Sequence, residues 1–397
     1  LRVLSGDEEA YYGYLGAINS LPFTDGIVVD IGGGSTEVTA VRGRAFSTTF
    51  SQQVGVVRFT ERYIKSDPIS KKEFRALEEG AVEAFKELDW LKSETGPTMA
   101  GLGGTVRNLA RIDQKRRKYP LDRLHGYVLK RQALEEIVDM LRRSSLKDRE
   151  AIPGLSRDRA DVIVAGAVIL FQLMQQGGFE ELLVSGQGLR EGLFYDYFLQ
   201  GQQVPLFDDK RGFSIQNLAK IHNYEAIHAA KVRELSLSLF DQLEPLHGYG
   251  RWERELLSYG ALLHDIGVEV GYYDHHKHSA YLIFNSSLQG FTHREVVLLA
   301  LLTRYHRKGS VDVDEYRMIL ADDDAERLAR LSALLRISEY LERSKSQVVQ
   351  SLQVEIGEDG IRVHVRAVGD ATVEVWDANR RTRLFEKAFG QKIEIVI

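Results

Sequence analysis

The densest chemistry in the sequence lies between Ile27 and Val41. An apolar, β-branched run leads into Asp30, then Gly32, Gly33 and Gly34, a hydroxyl pair at Ser35 and Thr36, a second acid at Glu37, and another apolar run. This pattern predicts a hairpin whose tip has lost its side chains. Bare glycines admit positive φ and let a bulky oxyanion reach backbone N–H groups. Ser35 adds a hydroxyl donor, and Asp30 and Glu37 suit Mg2+ or an attacking water. A glycine triplet also makes a plain tight hairpin, so the run alone leaves phosphate binding and simple turning both open.

Two further turns repeat the theme. Thr98–Asn108 reads as a small-residue strand, a turn at Gly103, Gly104 and Thr105, and a helix start. Glu181–Gly192 reads as a strand, a turn containing Gly186 and Gly188, and another helix. Such turns aim a helix N-terminus at an anion, although each could serve packing alone. Three in one domain together predict a phosphate or nucleotide cleft. Upstream, Asp7, Glu8 and Glu9 open a helix running to about Ile18, where first-turn acids also complement the dipole.

These elements sit in a chain of 397 residues, too long for one core. A net charge of −5 argues against a broad nucleic-acid-binding face. With no cysteine, disulfides, thiolate nucleophiles and Cys-ligated zinc are excluded, and the usage fits a cytoplasmic protein. No apolar run reaches membrane-spanning length. A short strand is predicted at Arg2–Leu4, a capping box at Ser70–Glu73, and a linker over 201–213. A helical region over 214–345 holds most of the histidines. From Ser351 a period of two predicts strands through Leu352/Val354/Ile356, Ile361/Val363/Val365, Val373/Val375 and Ile393/Ile395/Ile397.

The helical region presents His228 on one helix, then an adjacent His264-Asp265 pair at the end of the next, with Gly267 as its stop, and it resembles the HD-type metal phosphohydrolases. That resemblance implies a metal site at His228, His264 and Asp265, closed by an acid from a later helix. Glu339 stands where an aspartate is the pattern. A scaffold without chemistry stays open, in which His275, His276, His278, Arg304, His306 and Arg307 form a cationic patch.

The ordered motifs Leu4–Ala10, Asp30–Glu37, Gly101–Asn108 and Ser185–Gly192 resemble the exopolyphosphatase/guanosine pentaphosphate phosphohydrolase (Ppx/GppA) family, in its long form. The resemblance implies an α/β fold of the actin/hexokinase/Hsp70 type with an incomplete first lobe, then an all-α HD-like domain and a small antiparallel β tail. The implied divisions are 1–20 (remnant of the first lobe), 21–200 (second lobe and return helix), 201–213 (linker), 214–345 (HD-like) and 346–397 (β-rich). It implies Glu9 as the base that orients water, and Asp30 and Glu37 as the acids positioning Mg2+, with Mn2+ as the alternative. Gly32 to Ser35 match the phosphate loop, and Gly103, Gly104, Thr105, Gly186 and Gly188 match the rest of the cleft.

The implied reaction is hydrolysis of the terminal phosphate of polyphosphate. Guanosine pentaphosphate hydrolysis, or non-catalytic binding of polyphosphate or a guanosine alarmone, are the alternatives. A homodimer is implied, with a basic channel for which Arg111, Lys115, Arg116, Arg117 and Lys118 are candidates. No nucleic-acid or membrane partner is expected. The family's opening Asp-x-Gly-Ser-Asn loop is not in this sequence, so the chain as it stands is expected to be weakly active or inactive.

Overall fold

The computed structural model describes residues 3–88, 90–93 and 98–397. The chain forms two compact units, one made of residues up to Lys210 with Gln289–Thr292, the other of Arg211–Leu288 with His293–Ile397. The helix Lys210–Ile221 begins inside the segment read as a linker. Among the described residues, no helix is long and apolar enough to cross a membrane.

The first unit is built on a six-stranded sheet of β1 (Gly26–Ile31), β2 (Thr36–Arg42), β3 (Ala45–Gln52), β4 (Thr98–Leu102), β5 (Val128–Lys130) and β6 (Glu181–Val184). Their order is β3-β2-β1-β4-β6-β5. β1, β4 and β6 run parallel, while β2, β3 and β5 are antiparallel to their neighbours. Central parallel strands are covered on both faces and so need apolar residues throughout, as Ile27–Val29 supply. Alternation along β1 sends Ile27, Val29 and Ile31 into one core, which is filled by the helix Ile163–Gly177. Val28 goes to the other core, with Tyr14, Leu15 and Ile18 of the helix Gly6–Ile18. By this period of two, Asp30 falls on the face covered by that helix. Arg2 lies outside the described residues, and Val3 and Leu4 form no strand. The capping box at Ser70–Glu73 is present, opening the helix Lys71–Ala84.

The helices Gly6–Ile18 and Leu189–Phe198 meet at backbone distance. A Cβ on Gly16 would stand 2.4 Å from the Gly188 carbonyl oxygen, and one on Gly192 only 1.8 Å from that of Tyr12. Glycine at these two places is therefore a packing requirement.

The second unit assembles the helices Ala226–Gln242, Arg251–Leu263, His275–Asn285, His293–Tyr305 and Asp324–Leu341. A small sheet follows, of β7 (Val349–Gly357), β8 (Gly360–Ala367) and β9 (Ile393–Val396). β7 and β8 pair antiparallel, and β9 joins β8 in parallel. Val373 and Val375, read above as strand, stand in the helix Thr372–Asn379 instead. The buried positions there are Ala371, Glu374, Asp377 and Ala378, a helical spacing, while Val373 is exposed. Alternating valines mark the wrong period when the buried face is made of alanines and acids.

The glycine seam gives a direct test. Gly192→Ala is expected to cost on the order of 3 kcal/mol in urea unfolding, since backbone cannot yield as a side chain does. Gly201→Ala, with open space around its Cβ, should change stability by less than about 0.5 kcal/mol. Equal effects would refute the seam.

Candidate active site

Because β1, β4 and β6 are parallel neighbours, their C-terminal ends share one sheet edge, and all three glycine turns emerge there. Register fixes the alignment. Asp30 lies beside Leu102, and Gly101 beside Val184. Asp30 and Glu37 are directly opposite on the β1–β2 ladder, so both carboxyls point to the same face. Glu37 is buried and accepts a hydrogen bond from Ser51 Oγ at 3.1 Å.

That face is where the helix Gly6–Ile18 begins, with a Gly6 Cβ position only 3.0 Å from Ser51 Oγ. Of its first-turn acids, Glu8 is committed to a capping box. Its carboxylate accepts from Ser5 N at 2.9 Å, and its own N–H donates to Ser5 Oγ at 3.3 Å. Glu9 is exposed, and its charge bears on both Asp30 and Glu37. Asp30 is pushed up to about 6, first by burial, then by the charges of Glu37 and Glu9, with Arg107 opposing. Glu37 is also raised, by burial and Glu9, against hydrogen bonds from Ser35 and Ser51. Among the described residues, the three carboxylates do not bring one oxygen each within 4.8 Å of one another. Carboxylate oxygens are nonetheless the donor type that Mg2+ takes, with waters and phosphate oxygens as its other ligands.

The loop Gly32–Ser35 is closed by Gly32 N–H donating to the Ser35 carbonyl at 2.9 Å. The carbonyls of Gly32 and Gly33 accept from Val56 and Val57 N–H, each at 3.0 Å, at the start of the helix Val56–Tyr63. The loop's negative dipole ends are thus turned into the protein. The positive-φ expectation fails here, since none of Gly32, Gly33 and Gly34 adopts it. A Cβ on Gly33 or Gly34 would meet only ordinary contacts at 3.6 Å. At these two positions the fold itself does not demand glycine.

Gly103 is different. It has φ +83°, and its Cβ would lie 2.5 Å from Asp30 Oδ1. Only glycine brings the first turn of the helix Gly103–Arg117 against Asp30. Thr105 is buried, with its hydroxyl directed at the Ile31 carbonyl, 3.4 Å away. Gly186 N–H donates to His125 Nδ1 at 3.1 Å, and Gly188 N–H donates to Glu191 at 2.9 Å. The sheet edge thus brings Gly32–Ser35 and Gly103–Thr105 beside Asp30, while Gly186 and Gly188 stand on the same edge two strands away with their N–H groups already paired.

Sequence reading missed the cations. Arg58 Nε lies 3.6 Å from the Gly34 Cβ position, and the Arg159 guanidinium 3.3 Å from that of Gly104. Arg107 Nε donates to the Gly103 carbonyl at 3.1 Å. Arg58 and Arg107 could have been found as first-turn arginines three and four residues after a loop glycine, whereas Arg159 carries no local signal. The run Arg111–Lys118 proposed as a channel occupies the second half of the Gly103–Arg117 helix and its end, from about 12 to about 21 Å along the axis from Gly103 at 1.5 Å per residue. Lys115, Arg116 and Arg117 are paired there with Asp122, Glu136 and Asp113.

In the second unit, His228, His264, Asp265 and Glu339 do come together. His228 Nε2 lies 3.2 Å from Glu339 Oε2 and 3.8 Å from Asp265 Oδ2, and His264 Nε2 lies 3.0 Å from Glu339 Oε2. Gly267 is not a left-handed helix stop, having no positive φ. It is needed because a Cβ there would stand 2.3 Å from the His275 carbonyl oxygen. Ser279 Oγ donates to the His264 carbonyl at 2.7 Å and accepts from Gly267 N–H at 2.9 Å, clamping the two segments together.

The single cationic patch does not form. His275, His276 and His306 are buried, Arg304 is exposed, and His275 and His306 face Asp265 at 3.1 and 3.6 Å. Burial works against charge on His264, yet Asp265 and Glu339 push it up to about 9. His306 is pushed down to about 3 by burial and the His264 charge, and His276 down to about 4, mainly by burial. Asp265 is held far below the carboxylate range despite burial, by His264, His275 and His306.

Two family models divide the chain in the same way. The model of the Ppx/GppA phosphatase family matches residues 1–200, and that of Ppx/GppA phosphatase domain III matches residues 211–378. Among solved structures, a Ppx/GppA family member from Aquifex aeolicus is 30% identical, with a TM-score of 0.46 over 51% of this chain and 65% of that one. An exopolyphosphatase from Cytophaga hutchinsonii ATCC 33406 is 23% identical, with a TM-score of 0.47 over 51% of this chain and 66% of that one. This chain thus spans slightly less than two thirds of the length of either. With one family model over the glycine-turn unit and a second over the helical unit, the chain belongs to the Ppx/GppA phosphatase family.

Proposed function

We propose that the first unit supplies the hydrolytic wall of an exopolyphosphatase, releasing orthophosphate from the end of a polyphosphate chain. One observation carries the reading. Asp30 and Glu37, paired in register, lie within charge range of Glu9. They sit beside a loop whose exposed glycines are not required by its own packing. Carboxylates crowded at the mouth of an anion-binding loop are costly unless the site works on a phosphate with a cation present.

In this reading the N–H groups of Gly33, Gly34 and Ser35 receive the terminal phosphate, with Arg58, Arg107 and Arg159 offsetting the charge of the following phosphates. Glu9 accepts a proton from the attacking water as the new P–O bond forms. The P–O bond to the bridging oxygen breaks, and that oxygen leaves as the end of a chain one phosphate shorter. Glu37, held by Ser35 and Ser51, orients the water. Asp30 and Glu37 would hold Mg2+, which supplies charge neutralisation at the phosphate oxygens.

Three tests follow from these assignments. Glu9→Gln should lower phosphate release from polyphosphate, assayed in Mg2+, by about 100-fold or more with little change in KM. A rate near that of the unmodified chain would remove Glu9 as base. Gly33→Ala should keep its thermal stability while raising KM about tenfold, because the added methyl meets the ligand and not the protein. A fall in stability with KM unchanged would make the loop structural.

The third test concerns Asp30. Its folded pKa lies above its unfolded value, so its ionisation penalty is absent at low pH, grows as pH rises from the ordinary value of 3.8 to about 6, and is full above that. In EDTA, Asp30→Asn should therefore stabilise the chain by about 2 kcal/mol near pH ~8 and by little near pH ~4. A gain independent of pH would contradict the burial of that charge.

A further inference from the structure

The second unit also contains a cavity of about 340 Å3 lined by the Tyr340 ring and by four cations, Arg307, Lys308, Arg343 and Arg381. Among the described residues, no member of the histidine–carboxylate cluster lines it. The cations arrive from three separate segments. Arg307 and Lys308 come from the loop after the helix His293–Tyr305, Arg343 from just beyond the helix Asp324–Leu341, and Arg381 from the turn after the helix Thr372–Asn379.

The walls hold these charges in place. Arg336 is buried and donates through Nη2 to the carbonyls of Tyr305 and Gly309, at 2.6 and 3.0 Å. Its Nε donates to the Tyr305 carbonyl as well, at 3.2 Å. One side chain thereby ties the loop carrying Arg307 and Lys308 to the helix Asp324–Leu341. The guanidiniums of Arg381 and Arg343 lie over the Tyr340 ring, 4.6 and 5.3 Å from its centroid. That ring is buried, so stacking on it fixes both.

Charge is not balanced inside the cavity. Arg343 is paired with Asp377 at 2.5 Å, and Lys308 with Asp274 at 3.0 Å. Among the described residues, neither Arg307 nor Arg381 has a carboxylate partner, and Arg381 Nε is buried with no hydrogen-bond acceptor. Arg336 registers the excess. Burial pulls it down to about 10, with Tyr340 opposing and the Arg381 charge adding to the fall. Like charges gathered in a partly buried place repel one another unless an anion joins them. Two unbalanced positive charges match a phosphate dianion, and planar guanidinium forks suit its oxygens.

We infer that this cavity is a phosphate site, for free orthophosphate or for a phosphate monoester, separate from the cleft of the first unit and from the histidine cluster. Arg307 and Arg381 donate to the phosphate oxygens, while Lys308 and Arg343, already paired, add to the positive field.

The test is titration calorimetry on the full chain carrying Gly33→Ala, without divalent metal, so that the loop of the first unit contributes little. Inorganic phosphate and glycerol 1-phosphate are the probes. Saturable binding is expected, and the tighter probe assigns the site to the free anion or to the ester. Arg381→Gln and Arg307→Gln should each weaken binding by about tenfold or more, with folding checked by circular dichroism. Arg380→Gln should bind as before, because that guanidinium lies over Trp376, at 4.6 Å, and not in the cavity. Failure of the phosphate reading for the first unit would leave these differences unchanged, since the arginine variants report on the second unit alone. No saturable binding, or a folded Arg381→Gln that binds as tightly as its parent, would overturn the site.

Discussion

Parallel pairing of β1, β4 and β6 is the constraint on which the first unit depends. Parallel neighbours place their C-terminal ends on one edge, and each of these strands ends in a glycine turn. The edge therefore gathers segments from positions 32, 103 and 186 without any of them reaching. Strands 4.8 Å apart bring all three turns within about 10 Å. Antiparallel addition of β2 then returns the chain immediately, so that Glu37 comes back beside Asp30. Charge is concentrated by topology first and by side-chain choice second.

The second unit reaches a similar density of charge by another route. There the positioning groups are the carbonyls of Ala261, Tyr272 and Thr303, each three residues before the histidine it orients. A ring anchored to its own preceding turn needs no support from a distant element. Only the meeting of turns depends on tertiary packing, through the clamp of Ser279 on His264 and Gly267.

Much of this was legible in the sequence, and the failures share a cause. The three strand–glycine units, the capping box at Ser70–Glu73 and the gathering of His228, His264, Asp265 and Glu339 follow from local pattern or from resemblance. What pattern misread was the reason for each glycine. Gly32 to Gly34 were credited with positive φ, whereas among the glycines of the three turns it is Gly103, with its Cβ position against Asp30, that adopts it. Gly267 passed for a helix stop but makes room for a neighbouring backbone. The arginines near Gly34 and Gly104 arrive from other elements, so no spacing announces Arg159. His275 and His306 looked cationic because charge in sequence says nothing of burial.

The contact of Gly16 with Gly188 and of Gly192 with Tyr12 has a consequence for how such a chain can vary over evolution. Two helices in backbone contact share their positional error, so Glu9, on one of them, inherits any displacement of the other. A methyl gained at either glycine cannot be accommodated by repacking a side chain, because the obstacle is a carbonyl. Compensation would have to come as a concerted shift of both helices, which would carry Glu9 away from Glu37. Drift at positions 16 and 192 is therefore constrained by the geometry of the acids, although neither glycine lies among them.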